Sequence, residues 1–164
     1  MNKVETIEHA RELRDNDELE ASLESLLPLL DEYIEDPLVL FEVGGAYDIL
    51  GMAPEAIPYY EKAIENGLDD PELEECYVCL GTSHRVIGEF EDSVDILEKA
   101  VERYPDSFGA KAFLAVAYYG NGQYAESVQL LLEALLETTA DEELQSYSDT
   151  LNYFKDNLDE VWPE

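Results

Sequence analysis

A pattern of small and aromatic residues that recurs along the chain constrains its fold more than any other feature. The first copy has fixed offsets between Gly44, Tyr47, Gly51, Ala56, Tyr60 and Ala63. The same offsets recur 37 residues later at Gly81, His84, Gly88, Ser93, Leu97 and Ala100. They recur after 34 more residues at Ala115, Tyr118, Gly122, Ser127, Leu131 and Ala134. A period near 34 residues is typical of helix–turn–helix units that stack into a solenoid.

The boundaries of the repeats follow from helix start signals. Asp36-Pro37 and Asp70-Pro71 each predict an aspartate cap followed by proline in the first helical turn. Stepping back 34 residues places Ala10 at the position of Gly44, which indicates a degenerate first repeat. We therefore predict one domain over residues 1–164, divided into a degenerate repeat at 3–36, repeats at 37–70, 71–105 and 106–139, and a capping helix at 141–158.

The two ends of the array depart from the repeat pattern. Pro28 lies inside the helix predicted from about residue 17 to 33, and it should kink or split that helix because it removes a backbone donor. The C-terminal helix should cover the apolar face of the last repeat, as solenoids require. Its apolar face comprises Leu144, Tyr147, Leu151 and Phe154. Trp162 follows it and either packs against the chain or contacts another molecule.

Within each copy the residues follow the pattern W-x2-L-G-x2-Y…A-x3-F…P, so the chain resembles the tetratricopeptide repeat family. The first strong copy reads Leu40-x2-Val43-Gly44-x2-Tyr47, then Ala56-x3-Tyr60. The second reads Tyr77-x2-Leu80-Gly81-x2-His84, then Ser93-x3-Leu97, and closes at Pro105. The third reads Lys111-x2-Leu114-Ala115-x2-Tyr118, then Ser127-x3-Leu131. Within the family, the chain is similar to short stand-alone bacterial proteins of uncharacterised function.

The resemblance implies an all-α fold, a right-handed superhelical solenoid of antiparallel helix pairs whose concave face binds proteins or peptides. It does not imply an enzyme. The repeat pattern also has a direct packing consequence, because a small residue at the eighth position lets the two helices cross closely. Substitution of Gly44 or Gly81 by leucine should overpack that crossing, at a cost of about 1–3 kcal/mol.

The resemblance also places particular residues in the concave groove, at positions 2, 5, 9 and 12 of the first helix of each repeat. The candidate binding residues are Arg11, Arg14, Phe41, Asp48, Val78, Thr82, Arg85, Ala112, Val116 and Tyr119. Three of the four arginines of the chain are in this set. Because guanidinium groups pair with carboxylates, an acidic or C-terminal carboxylate segment is the expected partner. Alternatively, each arginine pairs with acidic residues of its own chain.

The charge of the chain restricts its partners. Forty acidic residues against nine basic ones give a formal net charge of −31, which repels phosphate backbones and anionic lipid. We therefore expect neither nucleic-acid nor membrane binding. The charge suits solubility, a cationic partner or high ionic strength, and composition does not distinguish these. The charged N-terminal stretch lacks the apolar segment of a signal peptide, and no run of about 18 apolar residues exists, so we expect a cytoplasmic protein.

Few residues suggest catalysis or metal binding. Cys76-x2-Cys79 resembles a redox or metal pair, but it lies in a predicted helix beside two glutamates, which disfavours the thiolate. No second ligand pair completes a zinc site, so both cysteines are interpreted as packing residues, as are His9 and His84. No motif of a hydrolase, phosphate loop or calcium loop is present. We expect no catalytic residue, no cofactor and no metal.

Two functions remain after these exclusions. The first is a non-catalytic adaptor that binds a peptide or helix of a partner protein in the concave groove. The alternative is a self-associating, homodimeric module that uses the C-terminal helix and Trp162 or an exposed end of the solenoid. Only the second predicts a molar mass above 18.6 kDa without a partner. An enzyme whose active site leaves no recognisable motif is the least favoured reading.

Overall fold

The computed structural model describes residues 2–161, which form antiparallel helix pairs stacked into a right-handed solenoid. The first helix is α1 (Lys3–Asp15), followed by α2 (Leu19–Leu26), a 3-10 turn (Leu27–Leu29) and α3 (Leu30–Tyr33). The next pairs are α4 (Pro37–Ile49) with α5 (Ala53–Glu65), α6 (Glu72–Val86) with α7 (Phe90–Arg103), and α8 (Phe108–Gly120) with α9 (Tyr124–Thr138). Two short helices follow, α10 (Glu142–Ser146) and α11 (Ser148–Asp156).

The start of α4 follows the predicted cap. Asp36 Oδ1 accepts hydrogen bonds from the backbone N–H groups of Leu38 and Val39, each at 3.1 Å, and Pro37 is the first helical residue. The turn after α4 contains Gly51, whose φ of 76° lies in the left-handed region that glycine adopts without strain. These local signals fix α4, which contributes more residues to the site described below than any other helix.

The expected cap at Asp70 is wrong. α6 begins at Glu72 without a side-chain cap. The Asp70 carboxylate instead accepts a hydrogen bond from the hydroxyl of Tyr104, which lies 34 residues further along the chain. A tertiary contact has therefore replaced the local one.

Both ends of the array are divided into short helices. Pro28 splits the helix predicted from about residue 17 to 33 into α2, the 3-10 turn and α3, as its missing N–H predicts. The capping segment, predicted as one helix over 141–158, is divided at Tyr147 into α10 and α11. Ser146 contributes to this break, because its hydroxyl donates a 2.6 Å hydrogen bond to the Glu143 carbonyl and competes for the helical backbone.

Close helix crossings occur where the repeat pattern places its glycines. A Cβ atom added to Gly44 would lie 2.9 Å from Cδ1 of Tyr60, and one added to Gly81 would lie 2.5 Å from Cγ of Leu97. Both neighbours are almost completely buried. Each crossing between the two helices of a repeat therefore needs glycine on α4 or α6.

Burial decreases towards the C-terminal end of the solenoid. In the described part of the chain after Ala117, only Ser127 is buried. α11 packs against α9, yet Val128, Leu131 and Leu135 on α9 remain 43%, 45% and 41% exposed. The last repeat is thus only partly covered. None of the helices within residues 2–161 has the length and apolar character needed to cross a lipid bilayer.

Candidate functional site

A cleft of about 590 Å³ opens between α1, α4 and α6, and we call it the N-terminal cleft. Four of the expected groove residues line it, namely Arg11, Arg14, Phe41 and Asp48. Four further carboxylates also line it, those of Asp15, Glu42, Glu72 and Glu75. The structure therefore brings the first two groove arginines together with acidic residues of their own chain.

Glu42 is the centre of this arrangement. Its side chain is 1% exposed, and each of its carboxylate oxygens is paired with a different arginine. Arg11 Nε donates to Oε1 at 2.7 Å, and Arg14 Nη2 donates to Oε2. The hydrogen bond to Glu42 raises the pKa of Arg11 above its ordinary value. A buried carboxylate is tolerated only when it is paired and hydrogen-bonded in this way, so Arg11 and Arg14 compensate a buried charge of their own chain.

Arg85 is different from the other two groove arginines. Its Nε lies 3.5 Å from the backbone oxygen of Val116 on the neighbouring α8. Among residues 2–161, no carboxylate lies within 4.0 Å of its guanidinium nitrogens. Its charge is therefore not neutralised by a direct ion pair in this part of the chain.

Asp48 is fixed at the wall of the N-terminal cleft by two neutral donors. Ser83 Oγ donates to its Oδ1 at 3.0 Å, and the Tyr60 hydroxyl donates to its Oδ2 at 3.3 Å. Burial raises the pKa of Asp48 above its ordinary value, and these two hydrogen bonds oppose that shift. No cation among the described residues pairs with this carboxylate.

The rest of the expected groove residues form a less polar surface. Val78 lines a second cavity of about 250 Å³ beside Phe113. The Thr82 hydroxyl lies 2.9 Å from the Cys79 carbonyl of its own helix, so it is already hydrogen-bonded. Ala112 is half-buried. Val116 and Tyr119 are 42% and 63% exposed, which leaves apolar side chains available next to Arg85.

The two cysteines lack the properties of a redox pair. Burial raises the pKa of both Cys76 and Cys79 to about 12. Cys76 Sγ also donates to the backbone oxygen of Tyr60 at 3.6 Å. Both thiols are thus protonated at neutral pH and are poor nucleophiles and metal ligands, in agreement with a packing role.

His84 belongs to the one group of three described side chains that place potential metal ligands within 4.8 Å of one another, with Glu89 and Asp92. Its Nδ1 lies 2.6 Å from Glu89 Oε2, and the residue is 8% exposed. This burial agrees with the packing role predicted for His84. His9 is exposed, so the packing role predicted for it is wrong.

Several residues of the site were absent from the sequence-based set. Glu42 and Glu72 line the cleft, but the family resemblance does not assign their positions to the groove. Glu75 lies at a groove position but was not among the candidate binding residues. Glu42 had one signal, since it is an isolated charge between Phe41 and Val43 in an otherwise apolar turn. A charge in that setting needs a buried partner. The expected contact of Trp162 lies outside the described residues.

Comparison with known proteins agrees with this fold. The family described as "Tetratrico peptide repeat" matches residues 37–154. Superkiller protein 3 of Saccharomyces cerevisiae is 28% identical over 91 residues, which are 56% of this chain. The match covers only 6% of that protein's length, so the chain corresponds to a small part of it.

Solved structures with similar folds include MamA from Desulfovibrio magneticus RS-1, at 18% identity and a TM-score of 0.72. That superposition covers 93% of this chain and 84% of the MamA chain. YrrB, described as a TPR protein with an unusual peptide-binding site, is 19% identical with a TM-score of 0.71, over 96% of this chain and 80% of its own. At these identities the similarity concerns the fold alone.

Proposed function

This chain belongs to the tetratricopeptide repeat family, and we propose that it is a non-catalytic module that binds a peptide or helix of a partner protein in its concave groove. The fold supports a protein–protein interaction module in general. YrrB, a protein of similar fold, is described as having a peptide-binding site. The groove is the surface of this chain that best suits the same type of ligand.

The observation that carries this proposal is the exposed apolar surface beside Arg85. Val116 and Tyr119 are 42% and 63% exposed on α8, and Tyr119 packs edge-on against Tyr124 with ring centroids 5.2 Å apart. Tyrosine and arginine are among the residues that contribute most of the energy at protein interfaces, and Tyr119 and Arg85 are of these types. A partner segment with apolar side chains fits here.

The nature of the partner follows from the arginines. The expected partner is an acidic or C-terminal carboxylate segment. Arg11 and Arg14 offer it no unpaired guanidinium group, because both bind Glu42. Arg85 lacks such a pair among the described residues and lies against α8. We therefore assign a partner carboxylate to Arg85, as a charge-assisted hydrogen bond next to the apolar surface.

Cross-linked co-purification with matched variants tests the groove. The first variant is Val116→Ser/Tyr119→Ser, which removes apolar side chains from the groove. The second is Val128→Ser/Leu131→Ser, which removes two exposed side chains of similar size from α9. A partner retained by the wild type and the α9 variant but lost by the groove variant supports the proposal. Equal recovery with all three proteins contradicts it.

The α9 surface supports self-association as the second candidate function. Val128, Leu131 and Leu135 follow helical spacing and form one apolar stripe that α11 leaves 41–45% exposed. A second copy would cover this stripe and lengthen the solenoid. Sedimentation equilibrium tests this directly, since a dimer has twice the monomer mass of 18.6 kDa. The Val128→Ser/Leu131→Ser variant should then be monomeric, and a monomeric wild type at millimolar concentration excludes the dimer.

A further inference from the structure

The N-terminal cleft is acidic even though two arginines line it. Five carboxylates line this cavity, against the two guanidinium groups of Arg11 and Arg14. Both guanidinium groups are directed at the buried Glu42. Arg11 Nη2 reaches one further carboxylate, Glu72, at 3.4 Å. The cleft therefore has an unbalanced negative charge.

The remaining carboxylates of the cleft face it with little compensation. Asp48 is held by the neutral hydroxyls of Ser83 and Tyr60. Asp15 and Glu75 are exposed, and neither has an ion-pair partner among residues 2–161. These charges line a common cleft, and walls of low dielectric strengthen their combined field.

We propose that the N-terminal cleft binds a basic side chain, lysine or arginine, from the peptide segment of the partner protein. This inference rests on the proposed function, because it names the chemistry of the segment that the groove takes. The carboxylates supply hydrogen-bond acceptors and the charge complementary to an ammonium or guanidinium group. The volume of about 590 Å³ is sufficient for one long side chain with its flanking backbone.

The local packing keeps this cavity open. Gly45 faces Arg14, and a Cβ atom added there would lie 3.2 Å from Arg14 Nη1. Below the charges, Phe41 and Tyr60 pack with ring centroids 6.1 Å apart and form an apolar wall. The methylene stem of a lysine or arginine can pack along such a wall while its charged end meets the carboxylates.

The groove has negative charge at the N-terminal cleft and positive charge at Arg85. Glu75 and Arg85 both lie on α6 (Glu72–Val86), and ten residues of helix separate them by about 15 Å. An extended peptide spans that distance with about five residues. The two points therefore favour a segment with a basic residue about five residues from a carboxylate.

Fluorescence anisotropy with designed peptides tests the basic side chain. The probe is a fluorescein-labelled octapeptide of alternating lysine and glycine, compared with the same peptide containing glutamate, at 150 mM salt. The cleft variant is Glu72→Gln/Glu75→Gln. The matched control is Glu61→Gln/Glu65→Gln, which removes the same charge from exposed positions of α5 outside the cleft. Thermal unfolding checks that both variants are folded.

We expect the lysine peptide to bind the wild type and the control with affinities within about twofold, and the cleft variant at least tenfold more weakly. Equal losses in both variants, or equal binding of the glutamate peptide, overturn the proposal, because the net charge alone then explains binding. An unbiased displayed-peptide library separates this result from failure of the groove itself. If the selected peptides lack basic residues and no longer bind Val116→Ser/Tyr119→Ser, the groove is the binding site but it does not take a basic side chain. If the selected peptides bind that variant as well as the wild type, both proposals are wrong.

Discussion

Arg14 on α1 donates a hydrogen bond to Oε2 of Glu42 on α4, a carboxylate that is 1% exposed. Together with Arg11, which binds Oε1 of the same group, this contact joins α1 to α4. These two contacts also determine what the groove offers to a partner, because they occupy both arginines with a carboxylate of the chain itself.

Removal of the Glu42 carboxylate should therefore destabilise the fold. Glu42→Ala leaves two arginines without their shared partner, and Arg14 is only 19% exposed. Loss of one member of a buried ion pair costs about 3–5 kcal/mol. Because Arg11 is 44% exposed and water can solvate it, we expect a loss of about 2–4 kcal/mol in the free energy of unfolding. Urea denaturation measures it.

Glu72→Ala is the matched control for this prediction. It removes another carboxylate that contacts Arg11, but at 3.4 Å and with the arginine half-exposed. Such surface pairs contribute about 0–1 kcal/mol. If Glu42→Ala is no more destabilising than Glu72→Ala, the buried pair does not contribute to stability as argued.

A second prediction concerns the helix crossing at Gly81. Gly81→Ala should gain about 0.5–1 kcal/mol of helix propensity, and Gly109→Ala, at the second residue of α8, should gain at most about the same amount. A Cβ atom at Gly81 meets the buried Leu97 at 2.5 Å, whereas one at Gly109 meets only Ser107 Oγ, at 3.9 Å. The difference between the two variants isolates overpacking, so Gly81→Ala should be less stable than Gly109→Ala by about 1–3 kcal/mol in urea. Equal stabilities would show that α6 and α7 can separate freely.

A third prediction compares Ser127 with Ser93, which occupy the same position of two repeats. Ser127 Oγ donates a 2.6 Å hydrogen bond to the Ala115 carbonyl, and Ser22 Oγ donates one of 2.8 Å to the Ala10 carbonyl. Ser93 Oγ is buried and has no hydrogen-bond partner among the described residues. Ser127→Ala should lower the unfolding free energy by about 1 kcal/mol.

Ser93→Ala should in contrast be neutral or slightly stabilising, because it removes an unsatisfied hydroxyl without leaving a partner unpaired. The urea midpoints of Ser127→Ala and Ser93→Ala, measured side by side, test both expectations. A loss at Ser93 as large as that at Ser127 would mean that the Ser93 hydroxyl does have a partner in solution.

The buried thiols give a fourth prediction, on pH dependence. Burial raises the pKa of Cys76 and Cys79 from 9.0 to about 12. Above pH 9 the unfolded chain therefore releases thiol protons that the folded chain keeps, so stability falls as pH rises from about 9 to 12. Tyrosine ionisation contributes in the same range, and Cys76→Ala/Cys79→Ala separates the two effects. Between pH 8 and 10.5, the urea midpoint of this variant should decrease less than that of the wild type, and parallel decreases contradict the assignment.

Helix positions could be predicted from the sequence where the signals are local. Asp36-Pro37 caps α4 and Pro28 splits its helix as predicted, because a cap and a missing N–H act within one turn. The cap predicted at Asp70 is wrong because the local signal does not include tertiary contacts. The Asp70 carboxylate binds Tyr104, 34 residues away, and the local sequence does not show that these two side chains are close in the fold.

The sequence by itself determined the repeat family and the small residues at helix crossings, since spacing along a helix decides which side chains share a face. It also selected Arg11, Arg14 and Arg85 as residues of interest. Only the tertiary structure decided the state of each arginine, because ion pairs depend on distances across repeats. Glu42 binds the first two, while Arg85 has no such partner in the described chain. The charge of the groove thus follows from packing, which places one buried carboxylate between two helices.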